Sequence, residues 1–541
     1  MPIFVGSNSD DSRIRSNRVG FSVSTANPGT ASEGDVYFNS SDSGLRAYDG
    51  SAWSAVGAGG GSFSGIASGT LANGQTVIIT TDGKISGITT IGLGLTSGET
   101  NWWGSNEISG NTVVYDESRQ KLFVVYHNVG NSDRPYGVVG TITGTGITFG
   151  TPQQIVNSAI YLKPAAVYHP PSKKIIIGFH YISGVYAYAV TIKDDNTFEV
   201  GQGGYILNTS GIDFIRLFYH KQTENVVAIF KARPSTNDGI WGRVLEIQGD
   251  VVSAGGAAQR ASTAGNILRD TGVSAAYIES DGRVIATWWD QTDGYKHYQA
   301  IGTISGTSLT WGTQQAGPGS YQYLYLIQDP PSGNILATMA ANDIIKYKVG
   351  IVTEGDSFIQ YNSIQTPSTN QPSSSPTYLQ PTYDPIEKKY LFIYRQENPD
   401  YSVDITQASF NGTTLTLEST INSQYGSSYN PAFISNTYAS DKKINVTVVG
   451  ILTAATAFVV QSARTTSNLT SDNFLGFSDA SYTNGQTAAI QIAGAIDDAQ
   501  SGLTTGSLHY VQSDGTLSTT AGTPSVFAGT ALSATKIKVK K

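Results

Sequence analysis

Histidine, carboxylate and aromatic side chains are the groups with which this 541-residue chain could do chemistry. The six histidines are His127, His169, His180, His220, His297 and His509. None forms a His-x-x-x-His pair, the spacing that puts two imidazoles on one metal. Cysteine is absent, which removes thiol catalysis, disulfides and cysteine-based metal sites. No Gly-x-Ser-x-Gly elbow presents a serine nucleophile, and no Walker loop cradles a phosphate. Gly144-Thr-Gly-Ile-Thr-Phe-Gly150 is glycine-rich, but no helix follows whose amino terminus would hold an anion. Glycoside hydrolysis needs two carboxyl groups about 5–10 Å apart. Asp213, Asp290, Glu397 and Asp400 are possible contributors, yet a chain with 41 acidic residues offers such candidates by composition alone. The sequence therefore supplies no catalytic residue, no metal site and no cofactor, and binding chemistry is what remains.

Whatever binds must be positioned by strands. Seven times between Val113 and Val449, a strand runs into a short polar turn and a second strand follows. The turns include Asp116-Glu-Ser-Arg-Gln-Lys121, His169-Pro-Pro-Ser-Lys-Lys174, His220-Lys-Gln-Thr-Glu-Asn225 and Asp384-Pro-Ile-Glu-Lys-Lys389. The second strands begin at Leu122, Ile175, Val226, Val284, Ile335, Tyr390 and Ile444, which are 53, 51, 58, 51, 55 and 54 residues apart. A period near 50 built only of strands predicts a β-propeller of seven blades. His169 and His220 stand at equivalent turn positions, so a structural role is the simpler reading for both. The seventh repeat is short after Ala457-Phe-Val-Val-Gln-Ser462, and an unclosed ring would leave a bare sheet edge. A strand from within about 85–100 is expected to complete the last blade. The adjacent pairs Trp102-Trp103 and Trp288-Trp289 must point to opposite sheet faces, which suits core packing between blades.

Strand alternation puts the seven short turns on one face and the longer, variable connections on the other. Scaffolded variable loops are where binding usually resides. On that face the candidate binding residues are Arg134, Arg233, Trp241, Asp290, Tyr295, Arg395 and Tyr401, a set that suits a sugar: rings to stack on pyranoses, Arg and Asp for hydroxyls or carboxylates. The plainer alternative for each is an ordinary solvated loop side chain.

The whole reads as an all-β chain: a seven-bladed propeller over 101–470, flanked by an amino-terminal β region over 1–60, a linker and small β module over 61–100, and a carboxy-terminal β module over 471–541. Asn73-Gly-Gln-Thr76 is echoed by Asn484-Gly-Gln-Thr487, so 63–95 and 474–497 are either two copies of one module or a chance recurrence of a common turn. A net charge of −8 argues against nucleic-acid binding. No apolar run approaches the roughly 20 residues of a membrane helix, and the first residues lack the basic and apolar regions of a signal peptide. Synthesis in a cytoplasm is expected.

Both ends resemble phage virion proteins, chiefly tail fibres of marine and cyanobacterial phages. The resemblance lies in Gly34-Asp-Val-Tyr-Phe-Asn39 with Leu45-Arg-Ala-Tyr-Asp-Gly-Ser-Ala-Trp53. It lies also in Asn473-Phe-Leu-Gly-Phe477, in Gln500-Ser-Gly-Leu-Thr-Thr-Gly-Ser-Leu-His-Tyr-Val-Gln-Ser-Asp-Gly-Thr516 and in Gly529-Thr-Ala-Leu-Ser-Ala-Thr-Lys536. It implies a virion component of the phage tail that joins other virion proteins through residues 1–60, meets the host distally and forms a homotrimer. The chain departs from the fibre pattern in having no long shaft and no heptads. The expectation is a tail-fibre or receptor-binding protein that adsorbs to a host surface glycan without catalysis. The rivals are a propeller glycoside hydrolase or lyase, and a purely structural virion protein.

Overall fold

The computed structural model describes residues 22–540 apart from 42–43, 49, 57–60, 99–100, 105–107, 145, 161–162, 182–183, 209, 234–238, 263–266, 268–272, 291–292, 295, 320–323, 342–343, 356, 368–371, 373–375, 397–401, 424–432 and 452–453. The chain divides into two units. One is Gly94–Arg464; the other joins Met1–Leu93 to Thr465–Lys541.

The first unit is a seven-bladed β-propeller. Blade 1 is Ile108–Asp116, Lys121–Asn128, Arg134–Thr143 and Gly146–Phe149, paired in that order. Five further antiparallel sheets repeat the pattern, with first strands at Ala165–His169, Ser210–His220, Val273–Ile278, Tyr325–Gln328 and Pro376–Asp384. Blade 7 takes three strands from its own repeat, Phe433–Ala439, Ile444–Ile451 and Ala454–Gln461. Its fourth strand is Asn101–Gly104, with Asn101 opposite Ala457 and Trp102 opposite Thr456. Thr96–Ser97 extends the same ladder opposite Gln461 and Val460. An early strand therefore closes the ring, though it lies at 96–104 and not wholly within 85–100. The propeller itself spans 94–464.

The second strand of each blade is apolar on both faces because both faces are covered, as a continuous apolar run implies. In blade 1, Phe123 and Val125 pack with Ile175, Ile177 and Phe179 of blade 2. Leu122, Val124 and Tyr126 pack the other way, with Val446 and Val448 of blade 7. The same alternation sets Ile176 against Val226, Ala228 and Phe230, and Val227 and Ile229 against Val284, Ala286 and Trp288. Ile285 meets Ile335 and Met339, Leu336 meets Tyr390, Phe392 and Tyr394, and Leu391 and Ile393 meet Val449. Seven apolar seams thus join seven blades, with Trp288 buried in the seam of blades 3 and 4. Each fully buried Val, Leu or Ile contributes about 1.5–3 kcal/mol, so the seams dominate the stability of the ring.

All seven repeated turns are four-residue loops that hold one residue at positive φ in the same place: Gln120, Lys173, Glu224, Gly282, Gly333, Lys388 and Lys443. Only two are glycine, so five side chains accept the left-handed region. In five blades the residue before the loop, Asp116, His169, His220, Asp329 or Asp384, caps it; Ile278 and Ala439 hold that place in blades 4 and 7. Asp116 Oδ1 accepts from the amides of Ser118 (2.9 Å) and Arg119 (3.1 Å); Asp384 Oδ1 accepts from those of Ile386 (3.0 Å) and Glu387 (3.2 Å). In blades 2 and 3 an imidazole does this work, since Nδ1 of His169 meets Ser172 Oγ at 2.7 Å and Nδ1 of His220 meets Thr223 Oγ1 at 2.6 Å.

The same capping residues reach the next blade. His169 Nε2 meets Glu224 O at 2.7 Å and His220 Nε2 meets Gly282 O at 2.8 Å. Asp329 Oδ1 accepts from Tyr390 Oη and Asp384 Oδ2 from Ser462 Oγ, both at 2.7 Å. A carbonyl partner fixes the proton on Nε2 and leaves Nδ1 to accept, the neutral form. Burial agrees, because it holds both imidazoles below the usual histidine value. These histidines are inter-blade clamps. His220→Ala should lower the unfolding free energy by about 2–3 kcal/mol, since it orphans the Gly282 carbonyl and uncaps the turn. Denaturant titration of the full chain measures this, and a change within 0.5 kcal/mol, about the level of a neutral surface substitution, would contradict the clamp.

In the second unit, Val36–Asn39, Gly44–Tyr48 and Trp53–Val56 form an antiparallel sheet, with Ser22–Ser24 added in parallel. The Trp53 ring sits edge-on to Tyr37 at 4.8 Å. The expected modules at 61–100 and 471–541 are not separate. Their strands interleave in one sheet, in the order Ser62–Ile66, Thr487–Gln491, Phe474–Ser478, Thr76–Ile79, Ile85–Gly87. Positions 411 apart, such as Gly74 and Gly485, are equivalent in it. Ala67 N donates to Gln486 O and Ser478 N to Gln75 O; Gly485 N donates to Ala67 O and Gly74 N to Ser478 O. Leu71 and Tyr482 exchange both backbone bonds across the pseudo-twofold axis. The echo of Asn-Gly-Gln-Thr thus marks two copies of one β unit that complete each other. A third sheet over Ile496–Val539 shares its core with Ile78, Phe474 and Phe477.

Candidate functional site

The first strands of the seven blades touch in sequence around a central channel, blade 7 against blade 1 included. Side chains stitch them together. Asn111 Nδ2 donates to Phe433 O at 3.1 Å, Leu326 N to Ser274 Oγ at 3.0 Å, and Asn436 Nδ2 to Gln380 O at 3.2 Å. The channel wall is therefore rigid.

At the turn-bearing end of these strands a tyrosine stands two residues before the loop in six blades: Tyr115, Tyr168, Tyr219, Tyr277, Tyr383 and Tyr438. Three of them lean on the turn of the preceding blade, while Tyr383 meets Tyr390 of its own blade at 5.1 Å. Tyr219 lies edge-on to His169 at 5.4 Å, Tyr277 to His220 at 5.9 Å, and the Tyr115 hydroxyl donates to Asp441. Burial pushes the phenols of Tyr115, Tyr219, Tyr277, Tyr383 and Tyr438 upward, so they stay neutral hydrogen-bonding groups. In blade 5 the position belongs to Gln328, whose Oε1 accepts from Glu279 N at 2.7 Å.

The ring is broken at blade 5, and there the channel mouth widens into a cavity of about 330 Å³. Blades 3 to 6 all line it, with Arg216 and Phe218, then Tyr277 and Glu279, then Tyr325, Gln328 and Pro330, then Pro381 and Tyr383. The Arg216 guanidinium lies over the rings of Tyr325 (5.1 Å) and Phe214 (5.5 Å). Glu279, at the rim, faces Lys221 at 3.6 Å. Aromatic faces, neutral hydroxyls and one guanidinium on rigid strands suit the binding of a small polar ligand. A second cavity of about 330 Å³ lies among Ser118, Arg119, Ser172, Lys173, Lys174 and Thr191. Two of its three cations are engaged: Arg119 pairs with Asp194 at 3.0 Å, and Lys174 donates to Thr191 Oγ1 at 2.8 Å and pairs with Asp250.

Four of the residues singled out on the opposite face have described side chains. Arg134 begins the third strand of blade 1, its Nη1 3.4 Å from Gln154 Oε1. Trp241 is two residues inside a strand, packed into the seam of blades 2 and 3, with Arg260 over its ring at 6.0 Å. Asp290 is 4 % exposed at the end of a strand in blade 4. Strand alternation places it on the same seam as the equally buried Lys231. Arg395 lies over Tyr378 at 5.1 Å. These four occupy blades 1, 3, 4 and 6 and line neither cavity. Tyr295 and Tyr401 lie outside the described residues, as do the side chains of Arg233 and Asp213 and the whole of Glu397 and Asp400. Among the described residues no cluster of three or more His, Asp or Glu could hold a metal. The sequence reading missed Arg216, Tyr277, Tyr325 and Tyr383. The signal was present in the break of the tyrosine repeat at Gln328.

Sheets, seams and closure define a β-propeller with an open channel mouth. No protein-family model matches the chain, and no curated relative does. Among solved structures, the Dos1 propeller is similar over 71 % of this chain and 81 % of its own, at 9 % identity and a TM-score of 0.36. A structure of NanB plus Optactamide is similar over 68 % and 70 %, at 11 % identity and a TM-score of 0.39. Likenesses this weak bear on neither ligand nor mechanism.

Proposed function

We propose that this chain is a receptor-binding protein of a phage tail that holds a host-surface glycan at the turn-bearing mouth of its channel without cleaving it. The observation that carries the reading is the cavity at the break in the tyrosine ring. It offers aromatic faces and hydrogen-bonding groups, and among its described lining residues only one carboxylate, Glu279, which faces Lys221. Hydrolysis would call for two. The resemblance of both ends to tail-fibre segments supplies the context. Attachment to other virion proteins through residues 1–60, assembly as a homotrimer and location in the virion belong to the same reading.

The full chain should be retained by members of an immobilised panel of bacterial surface polysaccharides, and periodate oxidation of the sugars should abolish retention. It should release no shortened oligosaccharide on prolonged incubation. New reducing or unsaturated ends would replace this reading with a hydrolase or lyase. Absence of retention on every polysaccharide, with the chain still found on particles, would favour a purely structural virion protein.

A further inference from the structure

Arg216 is the feature of the cavity that a neutral sugar leaves unexplained. Its guanidinium has rings on its faces, and among the described residues no carboxylate pairs with it and no acceptor takes its N–H groups. The other charged residue lining the cavity, Glu279, sits at the rim opposite Lys221. The interior charge is therefore positive. A guanidinium stacked on aromatic rings keeps its in-plane N–H edge for an acceptor, and that edge matches the two oxygens of a carboxylate or sulfate. The chain carries a net charge of −8, but salt screens its distant charges beyond about 8–10 Å, while Arg216 acts at contact.

We propose that the channel cavity selects an acidic sugar, one bearing a carboxylate or a sulfate ester, with the anionic group on the Arg216 guanidinium. This rests on the glycan-binding reading above and adds its charge class. The aromatic side chains of Phe218, Tyr325 and Tyr383 supply the surface for the ring.

The test titrates the full chain with glucuronate, glucose 6-sulfate and glucose, read by saturation-transfer NMR and calorimetry. One or both acidic sugars should bind at least tenfold more tightly than glucose, and which one does so distinguishes a uronate from a sulfate ester. Arg216→Gln should bring the acidic sugar down to the level at which glucose binds the same variant. Arg216→Lys, which keeps the charge but loses the fork, should fall between. Gln328→Tyr, which closes the break in the ring, should weaken all three sugars and serves if Arg216→Gln fails to fold. Equal affinity for glucose and both acidic sugars would overturn the acidic class and leave glycan binding standing. Acidic-sugar binding that survives Arg216→Gln would overturn the role of Arg216. Binding of none of the three, in a chain that still adheres to polysaccharide, would overturn the cavity as the site.

Discussion

Replacing residues 96–104 by an equal length of glycine and serine should lower the melting temperature of the propeller by on the order of 10 °C. The substitution keeps the connection into blade 1 and removes the strand that closes blade 7. Paired positions at Thr96, Ser97, Asn101, Trp102 and Gly104 are lost, as is the bond from Gly98 N to Val459 O at 2.8 Å. At about 1 kcal/mol per net hydrogen bond this amounts to about 5 kcal/mol, and a domain of this size shifts by roughly 2 °C per kcal/mol. The strand Ala454–Gln461 becomes an exposed edge, so concentration-dependent aggregation should accompany the loss. Calorimetry of the full chain separates the cases. A propeller transition within 2 °C of the parent value, with no new aggregation, would mean that the seams alone hold the ring and that the borrowed strand is incidental.

What the sequence disclosed and what it concealed follow from the range of each interaction. The turns were legible because a four-residue loop with a residue at positive φ, capped by Asp or His in five of the seven blades, is specified locally, and the copies reinforce one another. The ring closure was legible as a deficit, since blade 7 ran short after Ser462, but the missing strand could be located only to within several residues. Trp241 and Asp290 were misplaced because the strands run longer than the polar residues around them suggest: the third strand of blade 3 already begins at Gly239. The cavity was hidden for a different reason. Arg216, Tyr277, Tyr325 and Tyr383 are brought together by channel curvature, which no local pattern encodes. The repeat held a clue that was read as punctuation, for a tyrosine absent from one blade of seven is as informative as a variable loop. The interleaved module shows the same limit. Asn73-Gly-Gln-Thr76 and Asn484-Gly-Gln-Thr487 identified two copies, while their pairing partners lay on the far side of the inserted propeller.

The stability of the propeller should fall as the pH drops below about 6.5, and His297 should account for about one proton of that dependence. His297 lies in the third strand of blade 4, opposite Trp289, whose ring it meets edge-on at 6.3 Å. It is buried, and among the described residues neither ring nitrogen has a hydrogen-bond partner. Burial first, and then the Lys348 cation, lower its pKa from 6.5 to about 3. The unfolded chain takes up a proton near pH 6.5 that the folded chain refuses until about pH 3. The stabilisation is therefore complete above pH 6.5 and is lost on acidification by about 1.4 kcal/mol per pH unit, on the order of 5 kcal/mol in all. Alternation places Lys346 and Lys348 on the strand face turned toward blade 4, and the Lys348 cation reinforces the refusal. His297→Leu removes the titrating group and two unpaired polar atoms, so the variant should be at least as stable as the parent at pH 7.5. Its advantage should then grow by about 1.4 kcal/mol per pH unit between 6.5 and 4. His169 and His220, also held below the usual histidine value by burial, remain in both proteins and cancel in the comparison, as do the carboxylates. Urea unfolding of both proteins across this range gives the difference directly. Parallel stability curves would show that the His297 site admits water and that its imidazole titrates in the folded chain as it does in the unfolded one.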